Sequence, residues 1–278
     1  MLTTDQIMSE LGDSVMYTLH AHTQFCDGRN TMAEFAQKAD SMGFTHYGFT
    51  PHSPLPIESS CNMSMTDVPV YFAEIERLRK IYPNIRFYKA MEIDYLDDSW
   101  GPSNPYFKGL DLDYAIGSVH FVPNQDGVYY DIDGRPDRFR KRLHESFRDD
   151  VRYVVDRYFL HSMEMVAAGG FQIIGHFDKI KHNAGTVEPG IERTDFYKTR
   201  VNALIDAIIH SGVIVEINTK SWKEFGQLFP AQNHWRRLLE AGVKIVVNSD
   251  AHFVDRINQS RPEVLKALRY IQNDVMSN

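Results

Sequence analysis

At 278 residues and 43% hydrophobic composition, the chain is long enough for one large core, and α/β barrels of this length are often single domains. A formal net charge of −7 argues against a nucleic-acid binder that relies on bulk charge, though a local basic pocket for a small anion stays open. Two cysteines, Cys26 and Cys61, give no disulfide framework and fit free thiols in a reducing cytoplasm. The N-terminal stretch MLTTDQIMSELGDS lacks a signal-peptide pattern, and no apolar run approaches the ~20 residues of a membrane span.

Seven short apolar runs read as strands, and helical patterns lie between them. Val15–Leu19 runs into His20-Ala-His22, and Met32–Met42 has helical spacing. Phe44–Thr50 runs into Pro51-His52, followed by an amphipathic stretch over Val68–Ile81. Ile85–Met91 ends at Glu92, and Tyr114–Val119 ends at His120. Phe147–Ala168 repeats apolar residues at helical spacing and stops at Gly169-Gly170. Phe171–Gly175 ends at His176. Thr194–His210 is a further helix, capped by Thr194 or Asp195, and Gly212 leads into the strand Val213–Ile217. Asn233–Ala241 is a short helix, Val243–Asn248 runs into Ser-Asp250-Ala-His252, and Pro262–Ile271 closes the chain as a helix. Two polar segments, 94–113 and 123–144, interrupt the alternation after strands that end in Glu92 and His120, where they are placed to form walls or a lid.

Strands alternating with helices imply parallel pairing and crossover helices. The strands are apolar throughout, as fits coverage on both faces. An open doubly wound sheet and a closed barrel both satisfy this. An open sheet gathers functional residues near one switch point, whereas a barrel takes them from strand ends all round the ring. Six of the seven runs end in histidine or carboxylate, which favours the barrel.

His20-x-His22 alone is weak. Two residues apart on an extended segment both side chains face one way, so they can clamp an ion or be ordinary polar residues. Asp250-x-His252 carries the same ambiguity, Asp27 fits a turn before Gly28, and Glu92 fits a buried paired acid. The joint pattern decides. His20, His22, Asp27, His52, Glu92, His120, His176, Asp250 and His252 all fall at equivalent strand ends or in the loop after one. A mixed histidine and carboxylate set suits Zn, Mn or Fe, and so many ligands imply two to three divalent ions. His46, His144, His161, His182, His210 and His234 lie elsewhere and read as structural.

The ordered segments His20-Ala-His22-Thr with Cys26-Asp27, Thr50-Pro51-His52-Ser, Met91-Glu92-Ile-Asp-Tyr, Gly-Ser-Val-His120-Phe, Gly175-His176-Phe-Asp, Glu216-Ile-Asn218-Thr and Asn248-Ser-Asp250-Ala-His252 resemble the PHP (polymerase and histidinol phosphatase) superfamily. The GSVHF and MEIDY segments resemble its histidinol-phosphate phosphatase (HisK-type) branch. This resemblance implies a distorted (β/α)7 barrel filling residues 1–278 as a single domain, with a trinuclear metal centre. It assigns His20, His22, Glu92 and Asp250 to one ion. Glu92 is shared with a second ion on His120 and His176, and Asp27, His52 and His252 hold the third. Two positions that are often arginine in relatives are Lys181 and Lys223 here, expected to face the substrate phosphate without arginine's bidentate clamp, with Lys179 or Lys220 able to serve instead.

The implied activity is hydrolysis of L-histidinol phosphate in histidine biosynthesis by metal-activated hydroxide. Asp250 is the candidate acid or base and Glu92 the bridging carboxylate. Cys26 has no activating base in the sequence, which disfavours a covalent route. The competing enzyme reading is a phosphoesterase of the same superfamily acting on nucleotides or nucleic-acid ends. A non-enzymatic module would show eroded ligands, and none is eroded here. The expected partner is a small phosphomonoester, with neither nucleic acid nor membrane, in a monomer or dimer.

Overall fold

The computed structural model describes residues 1–277. Seven parallel strands form one sheet: β1 (Tyr17–Thr18), β2 (His46–Phe49), β3 (Arg86–Asp94), β4 (Tyr114–Ser118), β7 (Ile173–Ile174), β8 (Ile214–Asn218) and β9 (Ile245–Asn248), adjacent in that order. Between β4 and β7 the chain makes a separate antiparallel hairpin, β5 (Phe121–Pro123) with β6 (Tyr129–Asp131). The ring is nearly closed. Past the ends of β1 and β9 a single parallel bridge joins Ala21 to Ala251, with the His22 amide donating to the Ala251 carbonyl at 2.9 Å. The Leu19 amide donates to the Asn248 side chain at 2.8 Å across the same seam. The barrel expected from the strand ends, in the distorted seven-stranded form that the family resemblance implies, is therefore the observed architecture, with β1 and β7 reduced to two residues each.

Period-two alternation decides what fills the ring. On β3, Tyr88 and Ala90 belong to a buried cluster with Tyr114 and Ile116 of β4, Ile173, Ile214 and Val246. Phe87, Met91 and Ile93 face the other way and pack in the larger cluster that includes the surrounding helices. The inner cluster also contains Ile7 and Leu11. They come from a helix over Thr4–Leu11, fastened by a Thr3–Gln6 capping box, which plugs the N-terminal end of the barrel. The next inward positions along β3 and β8, towards their C-terminal ends, are Glu92, Asp94, Glu216 and Asn218, all buried. Apolar residues thus fill the bottom of the ring and acids its mouth.

Two glycines let backbones close in. A Cβ on Gly48 would lie 1.8 Å from Tyr114 Oη, a hydroxyl that donates to the Leu19 carbonyl at 2.6 Å. One on Gly175 would meet Ser118 Oγ at 2.5 Å, beside the Glu92 carboxylate.

The outer helices fall close to the predicted spans, at Met32–Ser41, Val68–Ile81, Asp195–Ser211, Trp235–Glu240 and Arg261–Met276. The helix expected from Phe147 instead starts at Val151, because the Asp150 carboxylate caps it by accepting from the Tyr153 amide. The polar stretch 123–144 is not all loop: Pro136–Ser146 is a helix, seated by Phe139 and Leu143. Among the described residues no helix is long and apolar enough to cross a membrane.

Candidate metal centre

All nine predicted ligands converge at the C-terminal mouth of the barrel. Glu92, at the centre, divides its two oxygens. Oε2 lies 3.3 Å from both His20 Nε2 and His22 Nε2, and 3.2 Å from His52 Nδ1. Oε1 lies 3.0 Å from His176 Nε2 and 3.6 Å from His120 Nε2, and accepts the Ser118 hydroxyl at 2.7 Å. Asp250 Oδ1 completes the first group at 3.2 Å from His22 Nε2 and 3.8 Å from His20 Nε2. His120 and His176 face each other Nε2 to Nε2 at 3.4 Å. Asp27 Oδ1 joins His252 Nε2 at 3.3 Å and His52 Nε2 at 3.9 Å, with His22 Nδ1 3.7 Å away. Three groupings emerge: His20, His22 and Asp250; His52, Glu92 and His120; and His22, Asp27, His52 and His252. They overlap the expected sets without matching them. Glu92 groups with His52 and His120 rather than with His20 and His22, His176 falls outside all three, and His22 joins the Asp27 group, while His52 presents Nδ1 to Glu92 and Nε2 to Asp27.

Divalent metal ions fit this arrangement on three counts. Two ligand atoms about 2.1 Å from a tetrahedral zinc sit roughly 3.4 Å apart, the spacing these atoms keep. Four ligand oxygens and nitrogens (Asp27 Oδ1, His52 Nδ1, Glu92 Oε2 and Asp250 Oδ1) are buried with no hydrogen-bond partner, which a cation would remedy. The donors are imidazole and carboxylate, suited to Zn, Mn or Fe.

The charges agree. Burial pushes the Glu92 carboxyl up, but His20 and His120 outweigh it and hold the group well below the usual carboxylate range. Burial acts the same way on Asp250, and Lys220, His20 and His22 overcome it. Burial drives His52 down to about 3 and His252 to about 4, so both rings are neutral at pH 7, as ligands must be. At His20 and His120, burial is outweighed by Glu216 and Glu92 and by Asp94 and Glu92, which raise them to about 10 and about 9, so these two rings must shed a proton to an incoming ion.

A further layer of carboxylates aims the imidazoles. Glu216 Oε1 accepts from His20 Nδ1 at 2.7 Å, and its other oxygen accepts the His176 amide at 3.1 Å. Asp94 Oδ1 accepts from His120 Nδ1 at 2.7 Å. Each leaves the Nε2 lone pair of its histidine facing the centre. The sequence reading gave neither acid a role. The available signal was spacing: Asp94 is two residues beyond Glu92 on one strand, and Glu216 follows Ile214 on the inward face.

The mouth is a cavity of ≈ 210 Å³ walled by metal-ligand candidates, by Asn62 and Cys61, and by a charged rim of Asp131, Asp133, Arg135, Arg138, Lys179 and Lys220. Two sequence expectations are corrected. Lys181 does not reach the cavity. Its ammonium is tied to Asp178 at 2.7 Å and the Leu228 carbonyl at 2.9 Å, and it lines a separate open groove with Trp222 and Phe225. Lys223 is exposed on the short helix Trp222–Phe225 and borders a shallow depression with Asp255 and Glu263. The cations that do line the cavity on these two loops are Lys179, bonded to Asp133 at 2.7 Å, and Lys220. Arg135 and Arg138 come from the start of the unforeseen helix segment. His46, His144, His161, His182, His210 and His234 lie outside the cavity.

The PHP domain family matches residues 18–220, from the strand before His20 to Lys220. The chain belongs to the PHP domain family. Within it, the chain is 26% identical to the probable histidinol-phosphatase of Deinococcus radiodurans over 261 residues, covering 90% of this chain and 91% of that one. Its fold is similar to HisK of Listeria monocytogenes, with a TM-score of 0.78 at 19% identity, covering 89% of this chain and 99% of the other. It is also similar to histidinol phosphate phosphatase (HisK) of Lactococcus lactis, solved with zinc, L-histidinol and phosphate, with a TM-score of 0.66 at 18% identity over 92% and 93% of the two chains. In this PHP barrel the family match therefore takes in seven of the nine ligand candidates, from His20 to His176, together with Lys179 and Lys220, while Asp250 and His252 lie beyond it.

Proposed function

We propose that this PHP protein is a phosphomonoesterase that hydrolyses L-histidinol phosphate to L-histidinol and inorganic phosphate, using two to three divalent transition-metal ions. The single observation that carries the reading is the division of Glu92, with Oε2 towards His20 and His22 and Oε1 towards His120 and His176. One carboxylate so placed can join two ions. The similarity over nearly full length to a histidinol-phosphatase supports the substrate.

Bound there, the ions would supply a hydroxide nucleophile at neutral pH and neutralise phosphoryl oxygens. His20, His22, Glu92 and Asp250 would hold one ion, Glu92, His120 and His176 a second, and Asp27, His52 and His252 a third. Glu216 and Asp94 hold the rings of His20 and His120 in the ligating tautomer. Lys179 and Lys220 face the phosphate in place of Lys181 and Lys223. Asp250, held as the carboxylate with Oδ2 accepting from Asn218 Nδ2 at 3.0 Å, is the candidate acid or base for the proton that must reach the leaving alkoxide. The free thiols Cys26 and Cys61 fit a cytoplasmic enzyme.

Steady-state kinetics on a phosphomonoester panel test this, with metal content measured on the same sample. Preference for histidinol phosphate supports it, and preference for nucleoside phosphates or oligonucleotide ends overturns it.

A further inference from the structure

Lys220 makes an unusual contact for a cation in a metal site. Its Nζ lies 3.1 Å from His252 Nε2 and 3.5 Å from Asp250 Oδ2. The position is anchored, because the Lys220 amide donates to Asn218 Oδ1 at 3.1 Å and its carbonyl accepts from Gln259 Nε2 at 3.2 Å. The partners of His252 fix its tautomer. Nδ1 faces the Asp250 carbonyl at 3.0 Å, and a carbonyl only accepts, so the ring proton is on Nδ1. Nε2 therefore carries the lone pair, pointing at both the Lys220 ammonium and, 3.3 Å away, Asp27 Oδ1. An ammonium hydrogen bond and a metal bond would use that same lone pair, and only one can form.

We infer that Lys220 competes with the third metal ion for His252 Nε2, so that this ion is the most weakly held. The inference rests on the metal reading above. In the free protein the ammonium occupies the lone pair. When the ion binds, the ammonium is displaced and becomes free to meet the substrate phosphate, so loading of the third ion and readiness of Lys220 for phosphate are one event. No lysine contacts the Nε2 atom of His20 or His120 among the described residues: their Nδ1 atoms are committed to Glu216 and Asp94, and their Nε2 atoms face neighbouring imidazoles that are themselves ligand candidates, His22 at 3.0 Å and His176 at 3.4 Å.

The test is a zinc titration of metal-free protein against a chromophoric chelator, for the wild type, Lys220→Met and Lys179→Met. Lys179→Met removes an equal charge from the same cavity without touching His252. Losing a charged hydrogen-bond competitor is expected to tighten the weakest zinc step by about tenfold or more in Lys220→Met. The stronger steps should change much less, and Lys179→Met should not reproduce the gain. Equal weakest-step affinity in wild type and Lys220→Met overturns the competition and leaves the metal reading standing. An equal gain in both lysine variants also overturns it, in favour of bulk charge. Failure of all three proteins to bind zinc overturns both.

Discussion

Glu216 Oε1 receives the Nδ1 proton of His20 at 2.7 Å, in a contact from which solvent is wholly excluded. The acid also accepts from Asn248 and Asn218 at 3.0 and 3.2 Å. It thereby ties β8 to β9 and to the chain just beyond β1. Glu216→Gln keeps the shape but loses the charge that makes His20 a strong donor. Metal affinity is expected to fall by about 10- to 100-fold while the fold persists. Zinc competition titration with circular dichroism on the same sample checks this, and unchanged affinity would remove Glu216 from the metal centre.

The cavity-lining lysines should separate from the other two in kinetics. Lys179→Met and Lys220→Met are expected to lower kcat/KM for the phosphomonoester by about tenfold or more. Lys223→Met should leave it within about twofold, since that side chain is exposed and outside the cavity. Lys181→Met should act on stability, because it removes the cation paired with the buried Asp178 carboxylate and leaves that acid with the Ala231 amide. A thermal melt beside each kinetic run distinguishes the two kinds of loss.

How far these positions were legible in the sequence differs by residue. The nine ligand candidates stand out because strand ends are marked by a change from apolar to ligating residues, as at Ile116-Gly-Ser-Val-His120. Asp94 and Glu216 were harder to assign: their roles depend on which histidine ring lies across the barrel, a contact between residues 26 and 196 positions apart. Lys181 was misplaced because a distance of five residues past His176 does not reveal that the chain turns into the helix Ile180–Gly185 and that Asp178 captures the ammonium. The helix Pro136–Ser146 was hidden by its arginines; only Phe139 and Leu143 are buried along it, too few for a clear apolar stripe.

Gly48→Ala should be destabilising without any change at the metal centre. The new methyl would collide with Tyr114 Oη and approach the Leu19 Cα to 3.1 Å. A cost of about 1–3 kcal/mol is expected by denaturant unfolding. Adding Tyr114→Phe removes the colliding oxygen, so the double variant should be less destabilised than the sum of the singles. Strict additivity would contradict the proposed contact.

His161 should make stability fall in weak acid. Burial, reinforced by Arg157, pushes its pKa from 6.5 down to about 4. The unfolded chain therefore takes up a proton near pH 6.5 that the native protein refuses until about pH 4. The stabilisation is complete above pH 6.5 and is lost as pH falls through that window. Between pH 7 and pH 5 the loss is roughly 2 kcal/mol. Unfolding of metal-free wild type and His161→Phe at both pH values checks this: the variant should lose less stability, and a constant difference between them would contradict it.

The central claim is that the cluster around Glu92 performs metal-dependent phosphate ester hydrolysis. Its most direct test is histidinol phosphate hydrolysis by one preparation before chelation, after chelation, and after stepwise return of zinc or manganese, with bound metal measured at each step. The account predicts that activity disappears with the metal while the circular dichroism spectrum persists. It should return as ions are restored in wild type but not in Glu92→Ala or His20→Ala. Full activity in the metal-free protein, or in either folded variant, would contradict it.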